Sequence, residues 1–203
     1  MNALLGRLPS ITDLRDRCRA FAVLDAALSP DDRNGRSYSF DAHWAPGEQL
    51  ASMRDGCGND WFLVFSPAGA YGRGFDHEAP NAPELLTTVP EVFRPYAEEP
   101  AFAEADGPIV TVCFWRRPDD AAWTVAAAAR GGEGLFELLA DGSAQAYREW
   151  AEEYYEPGSP IDPAAVAEVL ALRPLTPAVL AGLNPEAELA ELAEDIAGIG
   201  YPA

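Results

Sequence analysis

Two apolar segments joined by a tight turn constrain the fold most strongly. Trp61 to Phe65 is continuously apolar, residues 67–69 can reverse the chain, and Tyr71 to Phe75 returns. This pattern predicts a β-hairpin near the centre of a sheet. One face of the returning strand has almost no side chain, which invites close approach by an aromatic ring or a helix. The residues of that face are Ala70, Gly72 and Gly74.

Further periodic segments predict an N-terminal helix and more strands. Apolar residues recur at helical spacing over Ser10–Leu28, with Ser10 and Asp13 as a capping pair. We interpret the charged residues of that segment, including Asp25, as a solvated face. Strict alternation of apolar and polar residues over Tyr38–Trp44 predicts a half-buried strand. A second hairpin is predicted from the segments 109–115 and 122–127.

Four other segments are assigned on weaker patterns. Glu48–Arg54 is interpreted as a short helical piece, and 55–60 as the tip of a loop. The proline-rich stretch 78–107 predicts a long loop with a short helix at 91–98. Leu135–Leu139 fits a strand or a helix, because a short apolar run does not separate the two.

From Ser143 onward the chain is predicted to be helical. Three cap-and-proline pairs predict helix starts, since proline at the first helical position loses no hydrogen bond: Asp162-Pro163, Thr176-Pro177 and Asn184-Pro185. The sequence therefore predicts one α+β domain over residues 1–203. It contains a mainly antiparallel sheet of five or six strands with an N-terminal helix, over about residues 1–140. A helical C-terminal segment, over about residues 141–203, packs on it.

The charge balance bears on partners. The 203 residues include 33 acidic residues and 14 arginines but no lysine, for a net charge of −19. Such a surface repels nucleic acid and anionic lipid, so we expect a cationic protein as partner, with no nucleic acid and no membrane. Without lysine there is no Schiff base and no Walker-type phosphate loop, and no cofactor is expected. Three widely spaced cysteines and no membrane-spanning run favour the cytoplasm.

The acidic, aromatic start of the C-terminal segment is the candidate binding surface. Acidic side chains without neutralising cations nearby speed association with a basic partner. Exposed aromatic rings add anchoring contacts. The candidates are Trp150, Glu149, Glu152, Glu153, Tyr154 and Tyr155. A solvated helix face and core packing of Trp150 and Tyr154 are the alternative interpretation.

A second group of residues has the side chains needed to bind a metal or move protons. It comprises Asp41, His43, Asp76, His77 and Glu78. If the strand continues, Asp76 and Glu78 point to one face and His77 to the other. A site therefore requires the fold to bring His43 and Asp41 to them. The alternative function is then a small metal-dependent hydrolase; strand-end hydrogen bonding and turn formation are the structural alternative.

Three segments resemble the SUKH superfamily, small α+β proteins that include bacterial immunity proteins and fungal cell-wall synthesis regulators. The segments are Asn59–Phe65, Gly72–Glu78 and Ser143–Trp150. The chain departs from that pattern in its longer helical C-terminus. The resemblance implies a protein without catalytic activity that binds and blocks a toxin, often a basic nuclease. The sequence thus favours an immunity-type binding module over the hydrolase, with a structural or regulatory protein as the third alternative.

Overall fold

The computed structural model describes residues 2–104, 107–127, 129 and 131–202, and it has the α+β architecture expected from the sequence. The α-helices are α1 (Asn2–Leu5), α2 (Ile11–Leu28), α3 (Arg94–Ala97), α4 (Glu137–Asp141), α5 (Ala144–Tyr155), α6 (Pro163–Leu170), α7 (Pro177–Leu183) and α8 (Ala193–Ile199). The strands are β1 (Tyr38–Ala45), β2 (Glu48–Arg54), β3 (Asp60–Ser66), β4 (Gly69–Phe75), β5 (Ala103–Glu104), β6 (Gly107–Pro108), β7 (Val112–Arg116) and β8 (Thr124–Val125).

The main sheet is antiparallel and has six strands in the order β1-β2-β3-β4-β7-β8. The first predicted hairpin forms its two central strands, β3 and β4. The second predicted hairpin is also present as β7 and β8, although its return strand is only two residues long. The predicted sheet with an N-terminal helix and C-terminal helices is confirmed.

Helix α2 begins where its capping pair predicts. The Ser10 hydroxyl oxygen accepts a hydrogen bond from the Asp13 amide at 3.2 Å, and the Ser10 hydroxyl donates to the Asp13 carboxylate at 2.7 Å. Leu14, Phe21 and Leu24 are fully buried against the sheet and the C-terminal helices. This helix therefore lies at the centre of the larger core.

The two faces of the sheet are covered by different parts of the chain. On one face, Trp61 and Leu63 belong to a core shared with α2 and α5–α8. On the other face, side chains such as Phe62 and Tyr71 pack under the segment 82–102, which contains three 3₁₀ turns and α3. The short helix expected within 91–98 is part of this cover.

The small-residue face of β4 admits aromatic rings at close range, as predicted. A Cβ atom added to Gly72 would lie 2.5 Å from Cζ of Phe114 and 2.6 Å from Cδ2 of Leu63. A Cβ atom on Gly74 would lie 3.2 Å from the ring of Phe136. The glycines of β4 thus make room for the rings of neighbouring elements.

The helical interpretation of Glu48–Arg54 is wrong, because this segment is strand β2. Pro46 and Gly47 form a two-residue turn after β1, with Gly47 at a φ of +78° that favours glycine. The segment then pairs with β1 on one side and β3 on the other, and Ala51 and Met53 are buried. Pairing along both edges outweighs its helical propensity.

Two of the three cap-and-proline predictions are confirmed. Asp162 and Thr176 accept hydrogen bonds from the amides of Ala164 and Val179 at the starts of α6 and α7. The third is wrong, because turns follow Asn184 and α8 begins only at residue 193.

Asn184 instead closes α7. Its amide donates to the Leu180 carbonyl at 2.8 Å, and its side chain donates to the Ala27 carbonyl at 3.1 Å. The segment 135–139, left open between strand and helix, is helical: a 3₁₀ turn over 133–136 leads directly into α4.

We predict that Gly72→Ala destabilises the protein by about 1–3 kcal/mol, because the added methyl group overpacks a closed core. Gly198→Ala is the matched control, since a Cβ atom there would meet nothing within 4 Å and alanine favours the helix. Chemical denaturation measures both. Equal stability of the two variants would contradict the proposed close packing at β4.

Candidate functional site

A buried carboxylate, Asp25, joins helix α2 to β1 and α5. Its side chain is 0% exposed. The hydroxyls of Tyr147 and Tyr155 donate to it at 2.5 and 2.6 Å, and the Tyr38 amide donates at 2.7 Å. The Ser37 amide donates to the hydroxyl oxygen of Tyr155 at 3.4 Å and extends the network. Asp25 therefore fixes the position of α5 relative to the first strand.

The interpretation of Asp25 as part of a solvated face is wrong. Asp25 follows Phe21 by four residues and precedes Leu28 by three, so it shares their side of the helix. The helical spacing thus places Asp25 on the apolar side of α2, although a charged residue type by itself favours the solvated side. A buried carboxylate is retained when hydrogen-bond donors surround it.

Burial raises the pKa of Asp25 to about 6, although the hydrogen bonds from Tyr147, Tyr155 and the backbone act in the opposite direction. The pKa of the Tyr147 hydroxyl is raised by burial and then by the nearby Asp25. Burial likewise raises the pKa of Tyr155. Both tyrosines thus remain protonated donors, and the charge of Asp25 changes in mildly acidic solution.

The predicted aromatic candidates lie together beside this network. The Trp150 ring stacks on Tyr154 with centroids 5.1 Å apart and meets Tyr38 edge-on at 4.9 Å. Tyr155 packs edge-on against Trp150 at 6.0 Å, but its hydroxyl points inward to Asp25. Trp150 and Tyr154 are half-buried. They combine core packing with an accessible edge, so both interpretations of these two rings apply in part.

Trp150 forms one wall of a cavity of about 540 Å³ that we call the α4–α5 groove. The groove is framed by α1, α4, α5, the start of β1 and the end of β2. Its apolar lining comes from Leu4, Tyr38, Met53, Leu135, Leu138, Ala146 and Trp150, and its charged lining from Arg7, Asp55, Glu137 and Asp141. Its volume lies within the range of small-ligand sites in proteins. No pattern in the sequence brought these separate segments together.

The groove is acidic, with three carboxylates against the single guanidinium of Arg7. The Ser143 hydroxyl and amide donate to Asp141 at 2.5 and 3.0 Å. These hydrogen bonds, aided by Arg7 and Arg17, lower the pKa of Asp141. Asp141 therefore remains ionised. Glu137 is exposed at the groove and leaves its carboxylate accessible to a ligand.

The three predicted glutamates of α5 differ in their surroundings. Glu149 and Glu153 are exposed, and Glu149 accepts a hydrogen bond from Gln145 one turn earlier. Glu152 is half-buried: it accepts from the Ile161 amide at 3.1 Å and lies 3.8 Å from Arg148. Glu152 therefore anchors the chain that follows α5, whereas Glu149 and Glu153 are available on the surface.

The candidate polar cluster is divided between two places. Asp41 and His43 are exposed on β1, where Asp41 accepts from the His43 amide at 2.7 Å. Asp76, His77 and Glu78 follow the last residue of β4, and strands β2 and β3 lie between β1 and β4 in the sheet. Across the described ranges, no group of three or more His, Cys, Asp or Glu side chains could hold a metal ion.

The residues after β4 make local turn contacts. The Asp76 carboxylate accepts from the Glu78 amide at 3.0 Å. The His77 ring nitrogen Nδ1 lies 2.8 Å from Oδ1 of Asn59, which also accepts from the His77 amide at 2.9 Å. His77 thus joins the end of β4 to the β2–β3 loop, in agreement with the structural alternative for this cluster.

No protein-family model, curated protein or solved structure matches this chain.

In the part of the chain that the structure describes, no helix has both the length and the apolar character required to cross a bilayer. Cys18, Cys57 and Cys113 are free thiols, and burial raises the pKa of Cys113 to about 12.

We predict that Asp25 makes stability depend on pH. Its folded-state pKa of about 6 exceeds the reference value of 3.8, so its contribution is fully present below the lower value and is lost as pH rises through 6. Relative to Asp25→Asn, the wild-type protein should gain about 2 kcal/mol between pH 7 and pH 4.

Denaturant unfolding of both proteins at each pH measures this difference. The comparison with Asp25→Asn removes the effect of the many surface carboxylates, which the two proteins share. A wild-type advantage that stays constant, or that grows toward neutral pH, would contradict a raised pKa at Asp25.

Proposed function

We propose that this protein is a binding module that engages a cationic protein through the α4–α5 groove. The observation that carries the proposal is the combination of the aromatic wall of Trp150 and Tyr38 with the carboxylates of Asp55, Glu137 and Asp141 in one cavity. An arginine or lysine side chain of the partner suits this lining, since its apolar stem packs on the rings and its charge faces the carboxylates.

The surrounding surface supports a cationic partner. Glu149 and Glu153 are exposed on α5, the helix that also supplies Trp150. With a net charge of −19, the whole protein attracts positive partners over a longer range. Long-range attraction raises the association rate, while the Trp150 ring and the groove carboxylates determine which side chain is retained.

The finer proposal is an immunity-type protein that acts in the cytoplasm by blocking a basic toxin. It is supported by the resemblance of Asn59–Phe65 and Gly72–Glu78 to the SUKH superfamily and by the acidic excess. In such a role the groove binds an exposed basic residue of the toxin. Blocking then requires only tight binding and no chemical step in this protein.

We predict that Glu137→Gln weakens the binding of an arginine-rich peptide by about two- to fivefold, because it removes one groove charge without changing side-chain size. Glu186→Gln is the matched control: it changes the net charge equally, and Glu186 is exposed outside the groove. Fluorescence anisotropy with a labelled peptide measures both affinities. Trp150→Leu should weaken binding about tenfold.

The same titrations at low and high salt separate a specific site from general attraction. We expect affinity to fall with salt, and the ratio between Glu137→Gln and Glu186→Gln to persist. Equal affinities of the two variants would show that net charge alone attracts the peptide. Equal binding of a glutamate-rich peptide would reject a cationic partner.

A further inference from the structure

The α4–α5 groove already contains a cation of the chain itself. Arg7 is exposed and lines the groove together with Glu137 and Asp141. Hydrogen bonds from Ser143 lower the pKa of Asp141, and the charge of Arg7 lowers it further, so the guanidinium and this carboxylate interact. A guanidinium is also a group that we expect the cationic partner to bring into the groove. The partner therefore meets a site in which a group of the same chemistry is present.

The N-terminal segment holds Arg7 at the groove through its own buried side. Leu4 and Arg7 are three residues apart and both line the groove. Leu5 and Leu8 have the same spacing but belong to the larger core, where they are 0% and 5% exposed. The Arg7 amide donates to the Leu4 carbonyl at 2.8 Å, and the Leu8 amide donates to the Leu5 carbonyl at 3.2 Å, so the chain makes a turn here. Because residues three apart share one side of such a turn, core packing of one pair keeps the other pair at the groove.

The carboxylates of the groove differ in what they offer to a cation. Asp55 uses both oxygens within its own loop: Oδ1 accepts from two backbone amides, and Oδ2 accepts from the Asn59 side chain at 2.6 Å. Asp141 receives both hydrogen bonds from Ser143 on Oδ1, which leaves Oδ2 without a hydrogen-bond donor among the described residues. Glu137 lies four residues before Asp141 on the same side of α4. The acceptors that remain for a cation therefore belong to Glu137 and Asp141.

Arg7 and a partner's cation cannot share this pair of carboxylates without repelling each other. We propose that Arg7 is a built-in competitor, which faces Glu137 and Asp141 in the free protein and moves away when the partner's basic side chain enters. This inference rests on the proposed function of the groove. Leu5 and Leu8 stay buried during the exchange, so only the long and exposed Arg7 side chain has to move.

The competitor restricts which basic partners bind. When a site is occupied in part of the molecules, the apparent affinity of every ligand falls with the fraction that remains open. In the described part of the chain Arg7 lies over no aromatic ring, so it does not use the Trp150 wall. A partner that offers only charge gains little over Arg7, whereas one that also packs a side-chain stem on Trp150 adds a contact that Arg7 lacks. The competitor thus raises selectivity at some cost in affinity.

The test measures fluorescence anisotropy of the labelled arginine-rich peptide with the full chain. Arg7→Gln keeps the buried leucines of the segment and should bind the peptide about two- to fivefold more tightly than the wild type. Arg117→Gln is the matched control, because it changes the net charge equally and Arg117 is exposed after β7, outside the groove. It should tighten binding by less than about 1.5-fold, since solvent and salt screen distant exposed charges.

A double variant separates competition from a general loss of positive charge. Asp141→Asn removes a charge that Arg7 faces, while the side-chain oxygen still accepts from Ser143. In that background the gain in affinity from Arg7→Gln should fall by about half or more. A gain as large as in the wild-type background would contradict competition for Asp141.

The competitor and the proposed function fail in different ways. If the wild type binds the peptide and Arg7→Gln binds it equally, more weakly or no better than Arg117→Gln, the competitor is overturned and the proposed function stands. If neither the wild type nor Arg7→Gln binds the peptide, the proposed function itself is rejected, and the competitor with it. Binding by Arg7→Gln alone would support both.

Discussion

The structure depends on the hydrogen bonds that converge on Asp25. Helix α2 packs on the sheet through apolar contacts that fix its distance but specify its rotation weakly. The carboxylate adds direction, because its donors must come from the Tyr38 backbone and from Tyr147 and Tyr155. Helix α5 is therefore held at one angle to β1, and this angle places Trp150 beside Tyr38 as a wall of the groove.

The acidic residues fall into two groups with different roles. Asp25 and Glu152 act inside the structure, where each accepts backbone or side-chain hydrogen bonds that fix neighbouring segments. The second group is exposed and does not fix neighbouring segments in this way. It comprises Glu137, Glu149 and Glu153, which lie near one another in the chain. The net charge alone does not distinguish the two sets. Burial does, and it leaves the second set, together with Asp55 and Asp141 of the groove, to attract a cationic partner.

The sequence predicted those elements whose pattern is local. Helix α2 and the β3–β4 hairpin follow from apolar spacing and turn residues that neighbouring residues supply. Strand β2 did not follow, because its residues favour a helix and its partners lie in other segments. The groove was missed for a related reason: Arg7, Asp55 and Asp141 meet only through the tertiary fold. Only Trp150 of its walls was a candidate, since its residue type is informative by itself.

The two buried charges differ in how completely their hydrogen-bonding groups are satisfied. Both Asp25 and Arg73 lie in central elements and are almost fully enclosed. Asp25 uses both carboxylate oxygens within the chain, and the bonds it accepts join three elements. Arg73 uses only one terminal nitrogen, for the carbonyls that hold the cover, and leaves the other enclosed beside a cavity with no acceptor among the described residues. Because charge burial is tolerated when hydrogen bonding is complete, the incomplete set at Arg73 makes its burial the more costly of the two.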